Sequence, residues 1–129
     1  PEQKVNMYCM YAVPEEEVER KYFFMNIKCL KLGTHFLYIR NNPEFRRRFD
    51  EALRKLKFNF LAGRVNYYYP LLYNGDNLGL LDKDIEYAWQ REFRYVIYSG
   101  LTDPLIVKLG SLEDIAEMRT FDHAMKVES

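Results

Sequence analysis

The chain reads as an α+β fold: a mixed, mostly antiparallel central sheet of about five or six strands with two to three helices. Three observations predict it. Short apolar or alternating runs recur along the chain, at residues 5–13, 34–40, 64–69, 87–98 and 105–109, and each has the length of a strand. The stretch from Asn42 carries the clearest helical period. Aromatic residues reach 16%, with 11 Tyr and 9 Phe against one Trp, a usage that suits half-buried strands whose hydroxyls reach a wet edge.

Residues 5–13 form a near-continuous apolar run that stops at Pro14, which predicts a buried strand. The acidic stretch from Glu15 suits a helix N-terminus or a polar loop. Residues 22–32 mix aromatic, sulfur and aliphatic side chains without a clean period, so strand and helix both stay open there. Gly33 breaks that stretch. From Thr34 to Arg40 the pattern alternates, and a strand follows, with His35 near its start. Asn42-Pro43 then opens the helix, with Asn42 as the cap and Pro43 at a position that loses no needed donor. Phe45, Phe49, Leu53 and Leu56 make its core-facing stripe. Glu44 with Arg48, Asp50 with Arg54 and Glu51 with Lys55 stand in the favoured i,i+4 orientation. Arg46, Arg47, Arg48, Arg54, Lys55 and Lys57 tilt the outer face basic.

Residues 64–69 make a further strand that Pro70 ends. Residues 74–77, Asn-Gly-Asp-Asn, are a turn by composition. Asp82, Asp84 and Glu86 lead into residues 87–98. Read as one strand, that segment puts Trp89, Phe93, Tyr95 and Ile97 on a core face and Gln90, Glu92 and Arg94 on the other, about 6.6 Å apart. The polar row is either a solvated face with an ion pair or a site whose central acid is Glu92. Residues 105–109 read as a short buried strand. Ser111 with Asp114 predicts a cap for a helix that turns Leu112, Ile115 and Met118 inward. The tail from Phe121 is expected to fray, and His123 has no evident partner.

Bulk properties narrow the function classes. A length of 129 residues is read as one domain, 1–129, able to bury a core. The start at Pro1 reads as processing, trimming or the rear part of a longer protein. With 19 basic and 19 acidic residues the net charge is zero, which argues against general polyanion binding. Cys9 and Cys29 sit in apolar surroundings and read as small buried hydrophobes of a reducing compartment. No cysteine–histidine spacing suits zinc, and Asp82, Asp84 and Glu86 lack the glycine of a calcium loop, so no metal is expected. No apolar run spans a membrane and no signal peptide is evident. The location expected is cytoplasmic. A phosphate-cradling glycine loop and a nucleophile elbow are both missing.

One resemblance goes further. Gln90-Arg91-Glu92 within the run AWQREFRYVI, followed by PLIVKLGSLEDI, resembles the catalytic strand of ADP-ribosyltransferases, and HFLYIRNNPEFRRRF and RVNYYYP look like upstream elements of their DNA-modifying branch. The likeness implies an NAD-dependent transfer. Glu92 would stabilise a cation-like sugar, Gln90 would hold the acceptor, Arg94 would bind a phosphate or pair with Glu92, and His35 would contact the cofactor. The arginine or histidine that grips NAD on an early strand of such enzymes has no counterpart in residues 6–13. The run NMYCMY, the run YAWQREFR and the late LGSLEDI are also similar to uncharacterised bacterial proteins found near phage-defence and toxin genes, which implies a role in bacterial or phage conflict. The alternative to an active or degenerate transferase is a non-catalytic, immunity- or inhibitor-type module that binds a protein partner, a toxin or host target. Tyrosine-rich, mixed-charge surfaces suit that role. An RNA-binding module on the basic helix is the least favoured.

Overall fold

The computed structural model describes residues 4–19, 22–24, 27–72, 78–120 and 124–126. The chain runs through β1 (Asn6–Tyr11), α1 (Glu15–Glu19), β2 (Tyr22–Phe24), β3 (His35–Ile39), α2 (Asn42–Lys55), β4 (Asn59–Arg64), β5 (Asn66–Tyr68), β6 (Asp82–Asp84), β7 (Glu92–Tyr98), β8 (Ala116–Thr120) and β9 (Ala124–Lys126), with 3-10 helices at Ile27–Leu32, Pro70–Leu72 and Ile85–Gln90. The class is α+β, and every strand pair is antiparallel except β5 with β6. The central sheet is smaller than the five or six strands expected. Among the described residues it holds three, in the order β1-β7-β4, while β2-β9, β3-β8 and β5-β6 pair two by two.

Burial explains why β7 is central. Tyr95 and Val96 are fully buried and Ile97 nearly so, and both edges of the strand are paired. α2 packs over the face that carries Phe93, Tyr95 and Ile97, through Phe45, Phe49 and Leu53. The rings of Phe49 and Tyr95 lie 4.3 Å apart. A contact of this size, with Phe45, Leu53 and Tyr95 almost wholly out of water, removes enough apolar area to fix the helix on the sheet. A second, smaller cluster joins Cys29 and Tyr38 to Tyr11, Val13, Phe36 and Trp89.

α2 follows its sequence closely, with one shift. Asn41, not Asn42, is the cap: its side-chain oxygen accepts from the Glu44 amide at 3.1 Å, and Pro43 falls in the first turn. Leu56, the last residue of the expected stripe, is 46% exposed because the helix has ended. Of the three expected ion pairs, Glu44 with Arg48 and Glu51 with Lys55 form. Asp50 instead accepts from the Tyr95 hydroxyl at 2.7 Å.

Four other expectations are corrected. Residues 87–90 are not strand. Asp84 caps a 3-10 helix by accepting from the Glu86 amide, and Arg91 closes it in the left-handed region at φ 41°. The strand therefore starts at Glu92. Residues 5–13 hold an edge strand with Met7, Tyr8 and Cys9 exposed, since among the described residues no strand pairs beyond β1. Residues 105–109 form no ladder; odd positions are half-buried and Ile106 is 79% exposed. Ser111 does accept from the Glu113 amide at 3.3 Å, but the turn is followed by β8, not a helix, because β3 supplies a partner strand. Met118 consequently lies opposite Leu37 and is 64% exposed. The ambiguous stretch 22–32 resolves into both forms, β2 and then a 3-10 helix. In the tail, residues 124–126 pair with β2, while His123 and the turn at 74–77 lie outside the described residues.

Candidate functional site

Two features stand out, on opposite faces of the three-stranded sheet. The first is built on the polar face of β7. Glu92 and Arg94 share that face by strand alternation, and the Arg94 Nη2 donates to Glu92 Oε2 at 2.9 Å, both side chains being 12% exposed. The other guanidinium nitrogen, Nη1, donates to the Leu80 carbonyl at 2.9 Å, while Nε is buried without an acceptor among the described residues. Lys83 on β6 reaches the same carboxylate oxygen at 3.4 Å and Gln90 Oε1 at 2.6 Å. The Tyr67 hydroxyl accepts from the Glu92 amide at 2.9 Å. Gln90 thus joins Glu92, but by way of Lys83 and a 3-10 turn and not by strand alternation.

Cys9 lies opposite Arg94 in the β1–β7 register, so its thiol shares this face. Burial, and then the adjacent Glu92 charge, push the thiol pKa up from its ordinary value. A protonated thiol is a poor nucleophile, so the shift works against Cys9 as one. The acids expected to lead into the strand have structural work: Asp82 accepts from the Gly79 amide at 2.7 Å and from Asn66 at 3.3 Å. Among the described residues no group of three His, Cys, Asp or Glu side chains is placed to hold a metal ion.

His35 does not join this patch. It lies on β3, in a different ladder from β7, it is exposed, and its Nδ1 stands 2.9 Å from the Thr34 hydroxyl. Of the four residues singled out by sequence, the fold gathers Gln90, Glu92 and Arg94. Lys83, Tyr67 and Cys9 were missed. For Cys9, alternation within β1 says only which residues share its face; the register that sets it opposite Arg94 is not readable from the sequence.

The second feature is apolar. A cavity of about 390 Å³ opens beside β1, between Tyr8, Leu37, Phe45, Phe49, Leu105 and Leu109. The Tyr8 ring stacks on Phe49 at 5.3 Å yet remains 37% exposed. Met7 and Leu37, which also line it, are exposed at 43% and 41%, and Met118, opposite Leu37 in the β3–β8 ladder, at 64%. A further hollow of about 490 Å³ lies between α2 and Ile106, lined in part by Arg48, Glu51 and Lys55. Neither cavity is lined by Gln90, Glu92, Arg94 or His35.

The basic face of α2 is largely neutralised. Arg47 pairs with Glu44 and Glu51. Arg48 pairs with Glu44 and makes a two-pronged contact with Asp114 at 3.1 and 2.5 Å. Arg46 lies over the Phe93 ring at 4.8 Å. Such partners compete with phosphate. No helix among the described residues is long and apolar enough to cross a membrane. Comparison with family models, with curated proteins and with solved structures gives no match.

Proposed function

We propose that the chain is a non-catalytic protein-binding module of immunity or inhibitor type, acting in the cytoplasmic setting of a bacterial conflict system that the sequence resemblance implies. One observation carries the binding reading: the partly exposed Met7, Tyr8 and Leu37 line an apolar cavity, and exposed Met118 lies opposite Leu37 on β8. Exposed apolar side chains around such a cavity are costly in water and suit a contact surface. The test is co-expression with the product of the adjacent gene. A one-to-one complex on size exclusion is expected, lost on Leu37→Asp or Met118→Asp while the far-ultraviolet circular dichroism stays unchanged. Separate elution of the two proteins at micromolar concentration would remove the basis of this reading.

A second reading, NAD-dependent ADP-ribosyl transfer, is favoured by the meeting of Gln90, Glu92 and Arg94 on one patch. Against it, the Glu92 carboxylate already faces two cations and the patch lines neither cavity. Calorimetric titration with NAD separates the readings. The transferase predicts uptake that Glu92→Gln leaves largely intact, and the binding module predicts none.

A further inference from the structure

The edge of β1 bears on how a partner would bind. In an antiparallel pair, hydrogen-bonded and non-bonded positions alternate along each strand. The Ala12 amide donates to the Arg91 carbonyl at 2.7 Å, and the register sets Tyr8 against Tyr95 and Met10 against Phe93. Even-numbered residues of β1 therefore exchange their backbone bonds with β7. The N–H and C=O of Met7 and Cys9 point the other way, toward the open edge. Among the described residues neither takes another backbone partner.

That edge borders the 390 Å³ cavity. Tyr8 turns to the α2 side of the sheet, stacked on Phe49, and Leu37 of β3 forms part of the opposite wall. A strand laid beside β1 would send every second side chain into this hollow, over Phe45 and Phe49. Its backbone would satisfy Met7 and Cys9. The site thus combines a backbone template with an apolar slot of matching side, the two requirements of strand addition. Met7, Tyr8, Cys9 and Met10 include no charge and no proline, two of the usual protections of an edge.

From this we infer that β1 accepts an extended segment of a partner protein as a fourth strand, with apolar residues at alternate positions seated in the cavity. The inference rests on the protein-binding reading and specifies its mode. The chemistry favours an extended segment over a helix, because a helix satisfies its own backbone and would leave Met7 and Cys9 unpaired.

The test uses the full chain as bait for a displayed library of random twelve-residue peptides. Enriched peptides are expected to share apolar residues at every second position. In a synthetic copy, N-methylation at one alternate set of residues should weaken binding by about tenfold or more, and at the other set far less. Cys9→Pro, which removes an outward N–H and no ladder bond, should weaken binding similarly. Ile106→Ser, away from the edge, should leave it unchanged. Peptides with helical spacing, equal effects of both N-methyl sets, or no enrichment would overturn strand addition. So would a concentration-dependent dimer abolished by Cys9→Pro, since the occupant would then be a second copy. If the adjacent-gene complex forms but ignores Cys9→Pro, strand addition fails and the binding reading stands. If that complex never forms, the binding reading itself fails.

Discussion

Replacing Tyr95 by Phe keeps the ring at the centre of the core and deletes one hydroxyl. The ring is fully buried, with Phe49, Phe60 and Phe93 within 4.3, 6.0 and 6.0 Å, so packing is conserved. The loss is the bond from the hydroxyl to Asp50 at 2.7 Å. A hydrogen bond to a charged acceptor contributes about 1.5–3 kcal/mol, and Asp50 is half-exposed and recovers water, so we expect about 1–2 kcal/mol. For 129 residues the unfolding entropy is about 0.27 kcal/mol/K, which lowers Tm by about 4–7 °C. The same residue gives a signature in pH. Burial, and then the bond to Asp50, push the Tyr95 pKa up to about 12 from 10.0. The folded state therefore holds a proton that the unfolded state releases, and stability falls as pH rises from about 10 to about 12. The ten other tyrosines are common to both proteins, so the difference isolates Tyr95. Thermal unfolding followed by circular dichroism at pH 7.5 and across pH 10–12 reads both effects. The wild-type advantage should narrow in that alkaline window, and Asp50→Asn should cost much less in the Tyr95→Phe background than alone. Equal Tm values at pH 7.5, or a gap that stays constant to pH 12, would refute the buried Tyr95–Asp50 bond.

Two further perturbations follow. Asn41→Ala should destabilise by about 1 kcal/mol through loss of the cap, whereas Asn42→Ala should change little; urea denaturation of the pair decides which asparagine caps α2. On the acid side, hydrogen bonds from Arg47 and Arg48 hold the Glu44 carboxyl down to about 2, and Glu51, Asp114 and Glu117 are also lowered by arginine or lysine partners. Their contribution is complete above the ordinary carboxylate range and is lost as pH falls toward 2. Added salt should shrink this acid limb, because the groups face solvent; a limb unchanged between low and high salt in a pH-dependent melting series contradicts it.

How far the sequence reveals this molecule depends on whether local pattern or tertiary partner decides each element. α2 was legible because Phe45, Phe49 and Leu53 recur at helical spacing and an asparagine precedes Pro43; only the identity of the cap slipped by one residue. The Glu92–Arg94 pairing was legible because strand alternation sets them on one face. Gln90 reaches that patch through Lys83 and a 3-10 turn and not through alternation, because Asp84 as a cap and Arg91 in the left-handed region carry no clear sequence mark within a run that otherwise looks like a strand. The helix expected from Ser111 has its first turn in place, and pairing of β8 with β3 overrides the rest. Residues 105–109 have the composition of a buried strand without a ladder to join, which composition cannot show. The contribution of Lys83 and Tyr67 to the Glu92 patch depends on contacts across 9 and 25 residues, beyond any local period.

Residue-resolved amide exchange across β1, with the full chain free and saturated with an enriched peptide, tests strand addition most directly. In the free chain the Tyr8 and Met10 amides, bonded to β7, should exchange slowly, and those of Met7 and Cys9 fast. Binding should slow Met7 and Cys9 by about tenfold or more. Saturated complex in which Met7 and Cys9 exchange as fast as before would contradict the account.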